Sequence, residues 1–393
     1  MSEYQYYEFR AIDRPLGQDE MDELRRLSSR AQITATSFTN TYNYGDFRGK
    51  PSEVLERYFD AFVHVANWGT HQVAFRIPKG LFDLDAAEVY GFDEGEFYLS
   101  ISEGEEHAAI DFLSQEEGGD WEEGGERWMS SLLPIRDDLM RGDLRALYIG
   151  WLASISYRGP EEDEAEDELE PPVPPGLAKL TGPLKTLAEF LRIDGDLIEV
   201  AAAGSTGEAV TPPSRADMAR WIRSLPIAEK DDYLAQLLAG DGEMRIRAEL
   251  ARRFREATAP RSKKGHAPKT GRRTVRELLV ARDALASEKA RKKAEKDVRE
   301  RARLDRERAE ARARHLDELA KREPAAWKQV EELIAASKPK EYDEAVQLLV
   351  DLRDLAARSG RTDEALARIR EIRERNTRRS SLMKKFDGRK LGG

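Results

Sequence analysis

Residues 274–322 most constrain the fold, because they form an uninterrupted run rich in Arg, Lys, Glu and Ala. Between residues 286 and 314 the large apolar side chains are Val298 and Leu304, and neither Gly nor Pro occurs. At about 1.5 Å per residue, one helix over the whole run is roughly 70 Å long. Few of its side chains can be buried, so the run predicts a long, solvated, charged single helix.

Acidic residues placed four positions before basic ones support such a helix by about 0.2–0.5 kcal/mol a pair. The alternative is a coiled coil, which needs apolar residues every 3.5 positions over several heptads. Val275, Leu278 and Leu285 begin such a seam, and charged residues replace it further on. A free helix is therefore favoured over a dimeric coiled coil. The acid-first pairs are Glu288–Lys292, Glu295–Arg299, Asp297–Arg301 and Glu310–Arg314.

Composition excludes several classes of protein. A chain of 393 residues is long enough for two or three domains. It has no cysteine, which excludes disulfides, thiolate zinc sites and a cysteine nucleophile. The longest apolar stretch, residues 146–155, is too short to span a membrane, and the first residues do not resemble a secretory signal. We therefore expect a cytoplasmic protein with no membrane contact.

Charge is distributed unevenly along the chain. Residues 1–170 carry 15 Lys or Arg against 38 Asp or Glu, whereas residues 261–393 carry 38 against 24. Opposite charge on the two ends of one chain predicts either docking within the molecule or an anionic partner for the basic end.

Hydrophobic periodicity predicts an α+β N-terminal domain followed by all-α regions, with the long charged helix and a small C-terminal helical bundle among them. Residues 177–258 carry amphipathic helical faces, which predict a small bundle or HEAT-like hairpins. One such face consists of Tyr233, Leu234, Leu237 and Leu238. The predicted divisions are an acidic domain (1–158), an acidic and Pro-rich linker (159–176), a helical domain (177–258), a basic hinge (259–271), the charged helix (272–322), a helical bundle (323–377) and a frayed basic tail (378–393).

No motif for catalysis, cofactor binding or metal binding stands out. His64 and His71 precede Asp83 and Asp85, but their spacing fits no metal-binding signature. Acidic residues are dense between 111 and 123 without the order of a calcium loop. Gly-rich phosphate loops and a Gly-x-Ser-x-Gly nucleophile turn are absent from the sequence. We therefore predict no catalytic, cofactor-binding or metal-ligating residue.

Two groups of residues are candidates for binding. Aromatic residues in loops make good interface anchors, although core packing is the commoner role of such residues. Basic residues of the hinge and tail suit phosphate contacts. The aromatic candidates are Tyr42, Tyr44, Phe47 and Trp68, and the phosphate candidates are Lys263, Lys264, Lys269, Arg272, Arg273, Arg378, Arg379, Lys384 and Lys385.

Two stretches resemble known families. Residues 2–9 (SEYQYYEF) followed by residues 11–16 (AIDRPL) resemble a family of uncharacterised bacterial proteins, and the resemblance implies no activity. Residues 342–352, with Ser381, Leu382 and Met383, are similar to the helical end of some bacterial SWIM zinc-finger proteins. The finger itself is absent because the chain has no cysteine, so a zinc-dependent role does not carry over.

These observations favour a non-enzymatic adaptor or scaffold, in which the acidic domain binds a protein partner and the charged helix acts as a spacer. One alternative is a nucleic-acid-associated factor that uses the basic hinge, helix and tail. Another is an enzyme of unknown chemistry in the N-terminal domain. The sequence does not define the oligomeric state.

Overall fold

A computed structural model describes residues 4–93, 97–115, 124–162, 164–207, 214–239 and 272–391, with residues 246, 249, 250, 253, 254 and 257. It confirms an N-terminal α+β domain followed by all-α regions. The chain forms two compact units, residues 1–288 and residues 289–393. None of the helices within the described ranges is long and apolar enough to cross a membrane.

An eight-stranded antiparallel sheet forms the centre of the first unit, in the order β2-β3-β1-β4-β5-β8-β7-β6. Alternating apolar and polar residues produce its strands, as in β8, where every second residue is buried. The strands are β1 (Gln5–Arg10), β2 (Gln32–Thr34), β3 (Ser37–Tyr42), β4 (Ala61–Ala66), β5 (Thr70–Pro78), β6 (Phe92–Asp93), β7 (Phe97–Glu103) and β8 (His107–Gln115).

Helices cover the two faces of the sheet unequally. On one face, which we call the core face, side chains such as Val73 and Phe112 pack into the main hydrophobic core with most of the later helices. On the other face, Phe9, Phe38 and Phe62 pack under the first two helices. The helices are α1 (Gln18–Leu27), α2 (Pro51–Tyr58), α3 (Leu84–Glu88), α4 (Trp128–Leu132), α5 (Pro134–Met140), α6 (Arg145–Ser156), α7 (Glu164–Asp167), α8 (Gly182–Phe190) and α9 (Gly195–Ala203).

The helix α6 lies at the centre of this core, since all its residues are buried. Gly150 permits this close packing, because a Cβ atom there would lie 2.7 Å from the Phe112 ring. The glycine that interrupts the longest apolar stretch of the sequence is thus a packing residue.

Residues 159–176 do not form the predicted interdomain spacer. Glu170 is buried, and Leu169 makes an antiparallel bridge with Thr274. The Pro172 carbonyl accepts a hydrogen bond from the Tyr90 hydroxyl at 2.6 Å. The segment is therefore attached to the sheet domain, and α8 and α9 share the main core with that domain. The prediction of a separate domain over residues 177–258 was wrong for these two helices.

Two further helices of the first unit, α10 (Arg215–Ser224) and α11 (Ile227–Ala239), contain no buried residue. Trp221 of α10 makes an edge-to-face ring contact with Phe254, with centroids 5.4 Å apart. The predicted basic hinge, residues 259–271, lies outside the described residues.

The predicted long helix is α12, Val275–Ala320. Its first turns bury Val275 and Leu278 in the core of the first unit, and Leu316 and Leu319 belong to the core of the second. Every residue from 287 to 311 is exposed, as the charged composition predicts. The predicted pairing of Glu310 with Arg314 is replaced by Arg306–Glu310 at 3.1 Å, because exposed side chains of this length pair in either order.

The second unit continues with a helical bundle, and its last helix corrects a prediction. Leu382 and Phe386 are fully buried in the bundle core. Residues 378–390 therefore do not form a frayed tail, because these apolar side chains hold the basic segment against the bundle. The helices are α13 (Glu323–Ala335), α14 (Pro339–Arg358), α15 (Thr362–Arg375) and α16 (Ser380–Gly388).

Candidate protein-binding surfaces

A polar row crosses the sheet on the face opposite the core face. Strand register places Tyr7 beside His64, His64 beside Gln72, and Gln72 beside Leu113, which is next to Tyr98. The helices α1 and α2 cover the end of this face at β3, β1 and β4. Toward the other end, the side chains of β8 on this face are half-buried, and Ser100 and Ser102 of β7 are exposed. We call this second part the open face.

His64 lies under the covered part of the row. Its ring stacks on Tyr7 with centroids 4.2 Å apart, and the Tyr7 hydroxyl donates to Asp46 at 3.0 Å. Burial lowers the pKa of His64 to about 4, which outweighs the opposing effect of the Asp46 carboxylate. Within the described chain its Nε2 atom has no hydrogen-bond partner. His64 is therefore a neutral packing residue at physiological pH.

Asp111 lies on the open face and has no cationic neighbour. Its carboxylate accepts hydrogen bonds from the Tyr98 hydroxyl at 3.0 Å and from Gln72 Nε2 at 2.9 Å. Among the described residues, no Lys or Arg is one of the groups that shift its pKa. Burial raises its pKa to about 6, and the two hydrogen bonds only partly offset this. The site thus holds a carboxylate in a fixed orientation without a counter-charge.

A pocket of about 460 Å³ opens beside this carboxylate. Three carboxyl groups and two hydroxyl groups line it, and none of the described lining residues is Lys or Arg. The sequence pattern did not reveal it, because its walls come from α3, β6, β7 and β8. Its lining residues are Glu88, Gly91, Phe92, Asp93, Tyr98, Leu99, Ser100, Ile101 and Asp111.

The outer edge of β7 is only partly paired. The edge strand β6 pairs with Tyr98 and Leu99. In the hairpin of β7 and β8, the Gly104 N–H donates to the His107 carbonyl at 2.9 Å. Because hydrogen-bonded and non-hydrogen-bonded pairs alternate in an antiparallel ladder, Ile101 and Glu103 direct their backbone groups away from β8. No other described strand pairs with β7 there.

The four aromatic candidates fall into two environments. Phe47 is buried and stacks on Tyr7 with centroids 5.3 Å apart, so it is a core residue. Tyr42 packs partly buried against the same core. Tyr44 and Trp68 are exposed, and they follow β3 and β4, which both flank β1. Only these two can serve as surface anchors.

A longer apolar surface lies on α11. Ile227, Leu234 and Leu238 recur at the spacing of one helical face. They are 74%, 57% and 90% exposed. On α10, Met218 and Ile222 are also exposed. We call Ile227, Leu234 and Leu238 the α11 stripe. The face predicted from the sequence shares only Leu234 and Leu238 with this stripe, and the expected packing against neighbouring helices does not cover these two residues.

The basic candidates differ in availability. Arg273 makes a bidentate ion pair with buried Glu170 through two hydrogen bonds of 2.7 and 2.8 Å. Arg379 donates to the Ile334 carbonyl, and Lys385 pairs with Asp343. These three side chains are used within the fold, which argues against their role as phosphate ligands. Lys263, Lys264 and Lys269 lie outside the described residues, whereas Arg272, Arg378 and Lys384 are exposed.

The histidines considered for a metal site lie apart. His71 is buried and is joined through Nδ1 to the Phe190 carbonyl at 2.7 Å, whereas His64 contacts Tyr7 on the opposite face. Where the structure describes the chain, no group of three His, Cys, Asp or Glu side chains could hold a metal ion.

Comparisons with protein-family models, curated proteins and solved structures give no match to this chain. The resemblances of residues 2–16 and 342–383 therefore stay predictions.

Proposed function

We propose that this protein is a non-enzymatic cytoplasmic adaptor whose N-terminal unit binds a protein partner through the α11 stripe. The observation that carries the proposal is the exposure of three large aliphatic side chains on one face of one helix. Single exposed apolar residues are common, but aligned ones mark interaction sites. An amphipathic helix with anchors at this spacing fits a hydrophobic groove on a partner.

The energetics support a stable contact. Full burial of a Leu or Ile side chain contributes about 1.5–3 kcal/mol. Because Leu238 and Ile227 are 90% and 74% exposed, most of this free energy is still available when a partner buries them. Exposed Tyr44 and Trp68 offer a second apolar contact on the same unit. In this proposal the exposed part of α12 acts as a spacer.

A matched pair of charge substitutions tests the role of the stripe. Leu234→Glu introduces a carboxylate into it, whereas Ala235→Glu introduces the same charge at the adjacent exposed position. Proteins that co-purify with each tagged full-length variant from native cells are quantified by mass spectrometry. We expect Leu234→Glu to remove a specific partner that Ala235→Glu retains. Equal recovery with both variants would contradict the proposal.

A second function, nucleic-acid binding, has one observation in its favour. Lys293, Lys296 and Arg299 lie on one side of the exposed part of α12, and Glu300 lies on that same side. Such a stripe can neutralise phosphates without sequence preference.

The salt dependence of binding distinguishes this second function. Binding of labelled DNA and RNA to the full chain is measured across a salt series. A steep loss of affinity with increasing salt would support it. The dependence of log affinity on log salt concentration should then be shallower for Lys293→Gln and Lys296→Gln than for Arg301→Gln. Absence of binding at low salt would leave the adaptor proposal alone.

A further inference from the structure

We infer that the open edge of β7 and the pocket beside it bind an extended peptide segment that carries Lys or Arg. This second binding site does not depend on the α11 stripe, because it uses the sheet and α3 instead of α11. Its partner is defined by two properties: a backbone able to add as a strand, and a cationic side chain that reaches the pocket.

The backbone part of the argument concerns Ile101 and Glu103. Their N–H and C=O groups face outward at a point where the described chain supplies no strand. An extended peptide that adds to a sheet edge gains affinity from such main-chain hydrogen bonds. Ser102 and Glu103 are exposed, so the edge is accessible. The nearby Lys79 ammonium is already paired with Glu103 at 2.7 Å.

The side-chain part of the argument concerns the face onto which the pocket opens. Ser100 and Asp111 are cross-strand partners, so their side chains point to the same face of the sheet. An added residue that pairs with Ser102 projects its side chain from this face, because Ser102 and Ser100 lie two positions apart in one strand. A long side chain from that residue extends toward the Asp111 carboxylate.

Charge complementarity selects a cationic side chain. Glu88 and Asp111 contribute carboxyl groups to the pocket, and its described walls contain no cation. Tyr98 and Gln72 hold Asp111 in place and leave its charge uncompensated. A guanidinium or ammonium group supplies both the missing charge and hydrogen-bond donors. A metal ion suits the pocket less well, since no three ligating side chains of the described chain converge there.

Two pentapeptides are the probes: acetyl-Thr-Val-Arg-Val-Thr-amide, and a control with Gln in place of Arg. Each is titrated into the deuterated, 15N-labelled full chain while backbone amide shifts are recorded. We expect the Arg peptide to shift the amides of Ile101 and Glu103, with a dissociation constant at least tenfold lower than that of the Gln peptide. Equal affinity for the two peptides, or no shift along β7 at millimolar peptide, would overturn the inference.

Two pairs of variants separate the roles of charge and backbone. Asp111→Asn should raise the dissociation constant of the Arg peptide at least tenfold. Asp22→Asn, at an exposed position of α1, should leave that dissociation constant unchanged. Ile101→Pro removes the outward N–H and should abolish binding, whereas Ile101→Ala retains the N–H and should bind. Equal effects within either pair would contradict the inference. Leu234→Glu should not alter peptide binding, so failure here is distinct from failure of the adaptor proposal.

Discussion

The ion pair between Arg273 and Glu170 provides a quantitative test of how the first unit is held together. Glu170 lies in the segment between α7 and α8, and Arg273 precedes α12, so the pair joins parts of the chain that are far apart in sequence. Arg273 also donates to the Val200 carbonyl at 3.0 Å. The Arg273→Ala substitution leaves the Glu170 carboxylate buried without its cation.

Burial of the two side chains sets the expected magnitude. Removal of one partner from a buried ion pair costs about 3–5 kcal/mol. The Glu170 side chain is 3% exposed and that of Arg273 is 28% exposed, so solvent screening reduces the loss and we expect about 2–3 kcal/mol. The adjacent Arg272 is exposed, and Arg272→Ala should change stability by less than about 0.5 kcal/mol.

Urea unfolding followed by near-UV circular dichroism measures this loss for the full chain. The buried Trp128 and Trp151 belong to the main core and report on the first unit. The double variant Glu170→Leu with Arg273→Leu should recover part of the stability, because apolar replacement of both partners removes the unpaired charge. Equal unfolding midpoints for Arg273→Ala and Arg272→Ala would refute the reasoning.

Three other substitutions have defined outcomes. The pKa of Asp111 is raised to about 6, so ionisation of its buried carboxyl group lowers the free energy of unfolding progressively as the pH rises from about 4 to 6. In urea titrations at pH 8, Asp111→Asn should be about 1–3 kcal/mol more stable than the native chain, and at pH 5 the difference should be smaller. The pKa of His64 is lowered to about 4, so the free energy of unfolding of the native chain should fall by up to about 3 kcal/mol as the pH falls from 6.5 to 4. In urea titrations over the same pH range, the free energy of unfolding of His64→Phe should fall by less. Phe386 is fully buried in the second unit, so Phe386→Ala should cost about 3–5 kcal/mol by thermal unfolding, whereas exposed Lys384→Ala should cost less than about 0.5 kcal/mol; a matching loss in both would contradict the packing of α16.

Periodicity and charge predicted the class of fold because they act locally. The lack of apolar residues after Leu285 predicted that α12 is exposed, and hydrophobic periodicity predicted that the N-terminal domain contains both strands and helices. Charge runs were less informative. The acidic segment that contains Glu170 was predicted to be a solvated spacer, yet its counter-charge on Arg273 comes from a distant part of the chain. No local pattern contains that pairing.

The candidate surfaces were predictable only in part. An apolar face on α11 follows from residue spacing, but spacing does not say whether another helix covers Leu238. Burial of Phe47 and exposure of Tyr44 are likewise set by contacts between segments that are distant in sequence. Asp111 was part of an acidic run in the sequence, and its position beside Tyr98 depends on the register of β7 and β8.

Photo-crosslinking within native cells tests the central claim most directly. A benzophenone amino acid is placed at Leu238 in the α11 stripe and, as a control, at exposed Asp232 on another face of the same helix. The account predicts one discrete protein adduct from position 238 that is absent from position 232 and is lost when Leu234→Glu is added. Adducts of equal yield from both positions, or none from position 238, would contradict the claim that this stripe binds a protein partner.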